Sequence, residues 1–195
     1  MSHVVLFHSA LGLRPAVRRF ADALRSSGHH VTTPDLFEGA VFERLEDGVA
    51  RRDSIGIPTL LQRATAAVEA IEGPEDNRVY AGFSMGAAPA QMLALTRPNA
   101  RGVVLMHGSL PLQMLGMDRW PDRLPAQIHF AEDDPGMDLA VPQTLASASA
   151  SSDVQLFRYA GRGHLFADEG SADYDAAHAE LMLTRVLTFL RALGG

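Results

Sequence analysis

The segment Gly82-Phe83-Ser84-Met85-Gly86 sets a serine between glycines at ±2. It follows the apolar run Arg78-Val79-Tyr80-Ala81 and precedes a helix-like stretch, Ala87 to Leu95. A serine so placed between a strand and a helix is the nucleophile-elbow pattern. The turn is sharp enough that side chains at ±2 would meet neighbouring backbone, so both positions must be small. That geometry lifts the hydroxyl off the sheet, where a His reaches one side and a substrate carbonyl the other.

A serine hydroxyl needs a general base near neutral pH, and the base needs an orienting acid. The chain offers them in the order Ser, acid, His. After Gln127-Ile128-His129-Phe130-Ala131 come Glu132-Asp133-Asp134-Pro135, and after Val154 to Tyr159 come Ala160-Gly161-Arg162-Gly163-His164. With eight His in the chain, one beyond a strand is not diagnostic alone, but His164 follows Gly and can swing over the sheet edge. Asp134, three residues past Ala131 and ahead of a turn, is the expected acid. Asp133 is the alternative, otherwise expected to cap the following helix, and Glu132 ranks third. An oxyanion needs two backbone donors. Met85 N–H, at the start of a helix, and Ala10 N–H, from the loop His8-Ser9-Ala10-Leu11-Gly12, are the choices. For His8 and Ser9, substrate contact and structural pairing both stay open.

These groups must be carried by alternating strands and helices. The strand candidates are Val4–His8, His30–Thr33, Arg78–Phe83, Gly102–His107, Gln127–Ala131 and Val154–Tyr159. Most are continuously apolar, which suits parallel strands covered on both faces. Helical spacing appears in Val17, Phe20, Ala21 and Leu24, in Leu60, Ala64, Ala67, Val68 and Ile71, and in Met182, Val186, Phe189, Leu190 and Leu193. Such alternation predicts a parallel sheet with helices on both sides. The run Ala146–Ser152 is expected to end a helix and start a loop. Two stretches, Pro34–Pro58 and Gly108–Pro125, fit no regular element and are expected to wall the site. Pro89, about one turn into the helix after Ser84, is a local conflict that should remove a hydrogen bond and bend the helix.

At 195 residues the chain suits one domain, 1–195, with no internal repeat or linker. Without Cys it has no thiol nucleophile, thiolate zinc site or iron–sulfur cluster. All 17 basic residues are Arg, so Schiff-base lysines and the P-loop lysine are excluded too. No metal or organic cofactor is expected. The net charge of −6 argues against a nucleic-acid partner. No apolar run approaches the ~20 residues that span a bilayer, and the first residues lack a signal peptide's basic region. A cytoplasmic location without membrane association is expected.

With these residues in view, the chain resembles the dienelactone hydrolase family nearly end to end. The likeness is carried by His8-Ser9-Ala10-Leu11-Gly12, Thr33-Pro34-Asp35-Leu36-Phe37, Gly82-Phe83-Ser84-Met85-Gly86 and Leu105-Met106-His107-Gly108. It continues in His129-Phe130-Ala131-Glu132-Asp133-Asp134 and Gly161-Arg162-Gly163-His164-Leu165-Phe166. The resemblance implies a compact α/β-hydrolase of about six mostly parallel strands without a cap domain. It also implies ester or lactone hydrolysis by a nucleophile–His–Asp triad, here Ser84, His164 and Asp134. The enzyme naming the family uses Cys, with a Glu in the first loop controlling the thiol; here Ser84 and Ser9 stand at those places. Its substrate carboxylate is held by Arg, one of them at the position of Asp168. Arg51 or Arg52 is the candidate replacement, with solvated Arg the favoured reading, so dienelactone itself is poorly supported as substrate.

The expected activity is therefore serine hydrolysis of small carboxylic esters or lactones through an acyl-enzyme. Acyl transfer, perhydrolysis or thioester cleavage at the same triad is the alternative, and a non-catalytic binding domain a third.

Overall fold

A computed structural model describes residues 1–73, 78–122, 124–149 and 154–194. The elements are β1 (His3–Phe7), α1 (Pro15–Ser26), β2 (His30–Thr32), α2 (Leu45–Ile55), α3 (Ile57–Glu69), β3 (Arg78–Phe83) and α4 (Ala87–Thr96). They continue with β4 (Gly102–Met106), β5 (Ala126–Ala131), α5 (Ala140–Ser147), β6 (Val154–Tyr159) and α6 (Ala176–Leu193). The six strands form one sheet in the order β2-β1-β3-β4-β5-β6, with every pairing parallel. The architecture is that of a compact α/β-hydrolase.

The continuous apolar runs find their reason in two cores, one on each face. Val5, Phe7, Tyr80, Leu105 and Ile128 pack with Leu60, Ala64 and Val68 of α3, Ala90 and Leu93 of α4, and Leu145 of α5. Their strand neighbours Val4, Leu6, Val79, Ala81 and Val104 pack with Val17, Ala21 and Leu24 of α1 and Met182, Val186 and Leu190 of α6. Successive strand residues point to opposite faces, so a strand covered on both must be apolar at every position. β6, at the sheet edge, is only partly buried until Tyr159.

β1 is flanked by β2 and β3, with α1 on one face and α3 on the other. A crevice opens at the carboxyl ends of strands where the winding reverses. The loops after β1 and β3 carry Ala10 and Ser84 into it.

Three expectations need correction. The stretch 34–58 contains a regular helix, α2, and its one buried residue is Gly48. A Cβ there would lie 2.0 Å from the Ala10 carbonyl oxygen, so α2 seats on the first loop by backbone contact and leaves no apolar stripe to read. Pro89 creates no conflict. A 3₁₀ turn over Ser84–Gly86 delays the start of α4 to Ala87, so Pro89 falls in the first turn, where the missing N–H has no helical acceptor. Asp133 caps no helix: α5 has no side-chain cap at Leu139, and the Ala140 N–H donates to Asp138 Oδ1 instead. The end of α5 falls at Ser147, within the expected Ala146–Ser152 stretch, of which 150–152 lie outside the described residues.

Candidate active site

Ser84 follows β3 at φ 50°, left-handed backbone that a non-glycine residue adopts only under local strain. The bend presses the flanking positions into neighbouring chain. A Cβ on Gly82 would fall 2.0 Å from the Gly86 carbonyl oxygen, and one on Gly86 2.6 Å from those of Phe7 and His8. Gly108 closes the other side, where a Cβ would be 2.8 Å from the Ser84 carbonyl oxygen. Three glycines thus let three strand ends converge on one serine.

The Ser84 Oγ lies 2.8 Å from His164 Nε2, and His164 Nδ1 lies 2.7 Å from Asp134 Oδ2. The carboxylate is buried and its second oxygen accepts the Gly136 N–H. Opposite a carboxylate, Nδ1 carries the ring proton and Nε2 is left to accept from Ser84. Two loop contacts hold the histidine: Asp173 Oδ2 accepts the N–H of His164 and of Leu165. Asp133 is exposed, and its backbone N–H donates to Gly161. Glu132 is also exposed, its N–H bound to the Tyr159 carbonyl. Of the three adjacent acids, Asp134 is the one hydrogen-bonded to the imidazole.

Ser84 and His164 open on a cavity of about 380 Å³ that Ala10 and Met85 also line. Its walls come from both expected stretches: Leu45, Val49, Arg52 and Ile57 on one side, Gly108, Ser109 and Leu110 on the other. Met137 and Asp138 complete it. Arg52 reaches this rim while its guanidinium binds Asp53 Oδ1 at 2.8 Å; Arg51 turns towards Glu38. Asp168 faces elsewhere, near Arg14 at 3.7 Å, beside a small pocket that Ser9 and His107 also line. Among the described residues no cluster of three or more His, Cys, Asp or Glu could hold a metal. No described helix is long and apolar enough to cross a membrane.

His107, which ends a strand candidate in the sequence and carried no role there, sits beside the site. It takes φ 60°, is buried, and neither ring nitrogen has a hydrogen-bond partner. The ring stacks on Phe83, meets Phe166 edge-on at 4.4 Å between centroids, and sits 6.4 Å from the His164 ring. Burial above all, then the neighbouring His164 and His129, holds its pKa well below 6.5. Its place before Gly108 in a strand-end motif was legible; its lack of partners was not. An unpaired imidazole costs roughly 1–3 kcal/mol when buried. His107→Phe is therefore expected to raise stability by about that amount, read by chemical denaturation at pH 7.5, with the ring packing retained.

The family model for the dienelactone hydrolase family matches residues 1–194. None of the curated proteins matches the chain. Among solved structures, a dienelactone hydrolase-like promiscuous phosphotriesterase from metagenomic libraries is 22% identical at a TM-score of 0.77, covering 99% of this chain and 87% of its own. A metagenome-derived lipolytic enzyme is 16% identical at 0.63, over 97% and 93%. A thioesterase domain from the curacin biosynthetic pathway is 16% identical at 0.61, over 93% and 90%. At these identities the structures share the fold.

Proposed function

The chain belongs to the dienelactone hydrolase family, a hydrolase family, and on that footing we propose that it cleaves small carboxylic esters or lactones with Ser84 as nucleophile. The observation that carries this reading is the unbroken hydrogen-bonded line from Asp134 through His164 to Ser84, at 2.7 and 2.8 Å, opening on the cavity. The Ser84 Oγ attacks the substrate carbonyl while its proton passes to His164 Nε2. The carbonyl oxygen becomes an anion held by the Ala10 and Met85 N–H groups, and the helix dipole of α4 favours the charge. Collapse expels the alcohol, which takes the proton from Nε2 and leaves an acyl group on Ser84. A water molecule then attacks that ester, giving its proton to His164, and the acid departs as Ser84 recovers its hydrogen.

The cavity sits at the small end of the range for ligand sites. Leu45, Val49, Ile57, Leu110 and Met137 make its walls apolar. The positive charge of Arg52 is already matched by Asp53, so a carboxylate on the substrate is not required. Short neutral esters fit best. Stopped-flow hydrolysis of p-nitrophenyl acetate tests the proposal. A burst followed by steady turnover, both lost in Ser84→Ala, is expected. Acylation without turnover would point to acyl transfer, and no acylation would leave a binding role.

A further inference from the structure

His8 is fully buried and does not line the Ser84 cavity, so it touches no substrate. Both its nitrogens are nevertheless committed. Nε2 lies 3.0 Å from the Leu36 backbone nitrogen, an obligatory donor. Nδ1 lies 2.7 Å from the Ser9 carbonyl oxygen, an obligatory acceptor. These partners admit one form of the ring, neutral with the proton on Nδ1.

The Ser9 oxygen also accepts the Gly12 N–H at 3.1 Å. In a trans peptide the carbonyl and the following N–H point in opposite directions, and no peptide in the described chain is cis. Two donors holding the Ser9 oxygen on one side therefore aim the Ala10 N–H to the other. Ala10 lines the cavity with Ser84 and His164. The next peptide is held as well: α2 seats Gly48 against the Ala10 carbonyl, and the Leu11 carbonyl accepts the Phe42 N–H.

We infer that His8 is a positioning residue, a tie between the loop after β2 and the loop after β1 that aligns the Ala10 N–H as an oxyanion donor. The inference rests on the hydrolytic reading above. It explains why Asp35-Leu36-Phe37 accompanies His8-Ser9-Ala10. Asp35 accepts the Phe37 and Gly39 N–H groups, fixing the turn that presents the Leu36 N–H to the imidazole.

Two substitutions separate the two ends of the tie. The amide of His8→Asn can still donate from near the Nδ1 position to Ser9 but falls short of Leu36. His8→Gln reaches Leu36 and loses Ser9. Removing an oxyanion donor outright costs about 10²–10³ in kcat. For p-nitrophenyl acetate, H8Q is expected to lose about tenfold or more in kcat with KM within about twofold, because the aimed N–H acts on the transition state. H8N, which keeps the Ser9 contact and gives up the Leu36 anchor, is expected to lose several-fold less kcat than H8Q, and its Tm falls.

A second measurement needs no variant: ¹⁵N spectra of labelled wild-type protein should show His8 protonated on Nδ1. An Nε2-protonated His8 overturns the inference. Wild-type turnover with equal kcat for H8Q and H8N overturns the positioning role alone. Wild-type protein that turns over no ester overturns the hydrolytic reading, and this one with it.

Discussion

Asp134→Asn is expected to lower kcat about 10⁴-fold, while Asp133→Asn leaves it within about twofold. The difference follows from which carboxylate meets the imidazole. Asp134 Oδ2 is 2.7 Å from His164 Nδ1 and holds the proton there. An amide in its place can present N–H to Nδ1 and so favours the other tautomer, with the proton on Nε2. That nitrogen then cannot accept from Ser84, and the loss expected of a wrong tautomer is about 10⁴. The second oxygen of Asp134 still accepts from Gly136 when it is an amide carbonyl, so the fold survives the change. Asp133 contributes a backbone N–H to Gly161 and exposes its side chain, so its charge has nothing to orient. Steady-state kinetics on both variants, with melting curves to establish folding, checks the pair. Equal losses would remove Asp134 from its proposed role.

The second large effect is on stability rather than rate. Three histidines are kept neutral inside the protein. Burial pushes His129 down to about 3, with Arg185 adding to the effect. Burial lowers His8 as well, outweighing the Ser9 carbonyl and Asp35, and it lowers His107 further. Below pH 6.5 the unfolded chain takes a proton on each ring that the folded chain refuses. Their contribution to stability is therefore complete above 6.5 and is lost as pH falls, down to about 3 for His129. The His129 ring costs about 1.4 kcal/mol per pH unit once well inside that window. For His129 this amounts to about 2 kcal/mol between pH 6.5 and 5, and His107 and His8 act in the same direction. Urea unfolding at pH 7.5, 6 and 5 should show a steep fall, and His107→Phe should flatten it by one proton. A constant midpoint over that range would contradict the account.

The sequence carried the fold well because both sheet faces are covered. Val4 to Phe7 and Val103 to Met106 are apolar at every position, which few other arrangements demand. It carried the serine well for a different reason: Gly82, Gly86 and Gly108 are spaces that a side chain would fill, and small residues announce that need. α2 stayed hidden because it buries a glycine against the Ala10 carbonyl instead of an apolar face, and periodicity reads only side chains. The choice between Asp133 and Asp134 turned on which of two adjacent residues follows the bend after β5. A one-residue difference in a loop has no periodic signature. His8 was undecided for a similar reason, since its partners are backbone groups of Ser9 and Leu36, and backbone groups have no letter in the sequence.

Ser84, set in strained backbone just past β3 and hydrogen-bonded to His164, is proposed as a reactive nucleophile. Incubation of the folded protein with a fluorophosphonate, followed by intact mass measurement and peptide mapping, reads that directly. One adduct per chain is predicted, on Ser84, absent from Ser84→Ala and formed at least about 10³ times more slowly in His164→Ala. An unmodified Ser84 in folded wild-type protein, or an adduct on another residue, would contradict it.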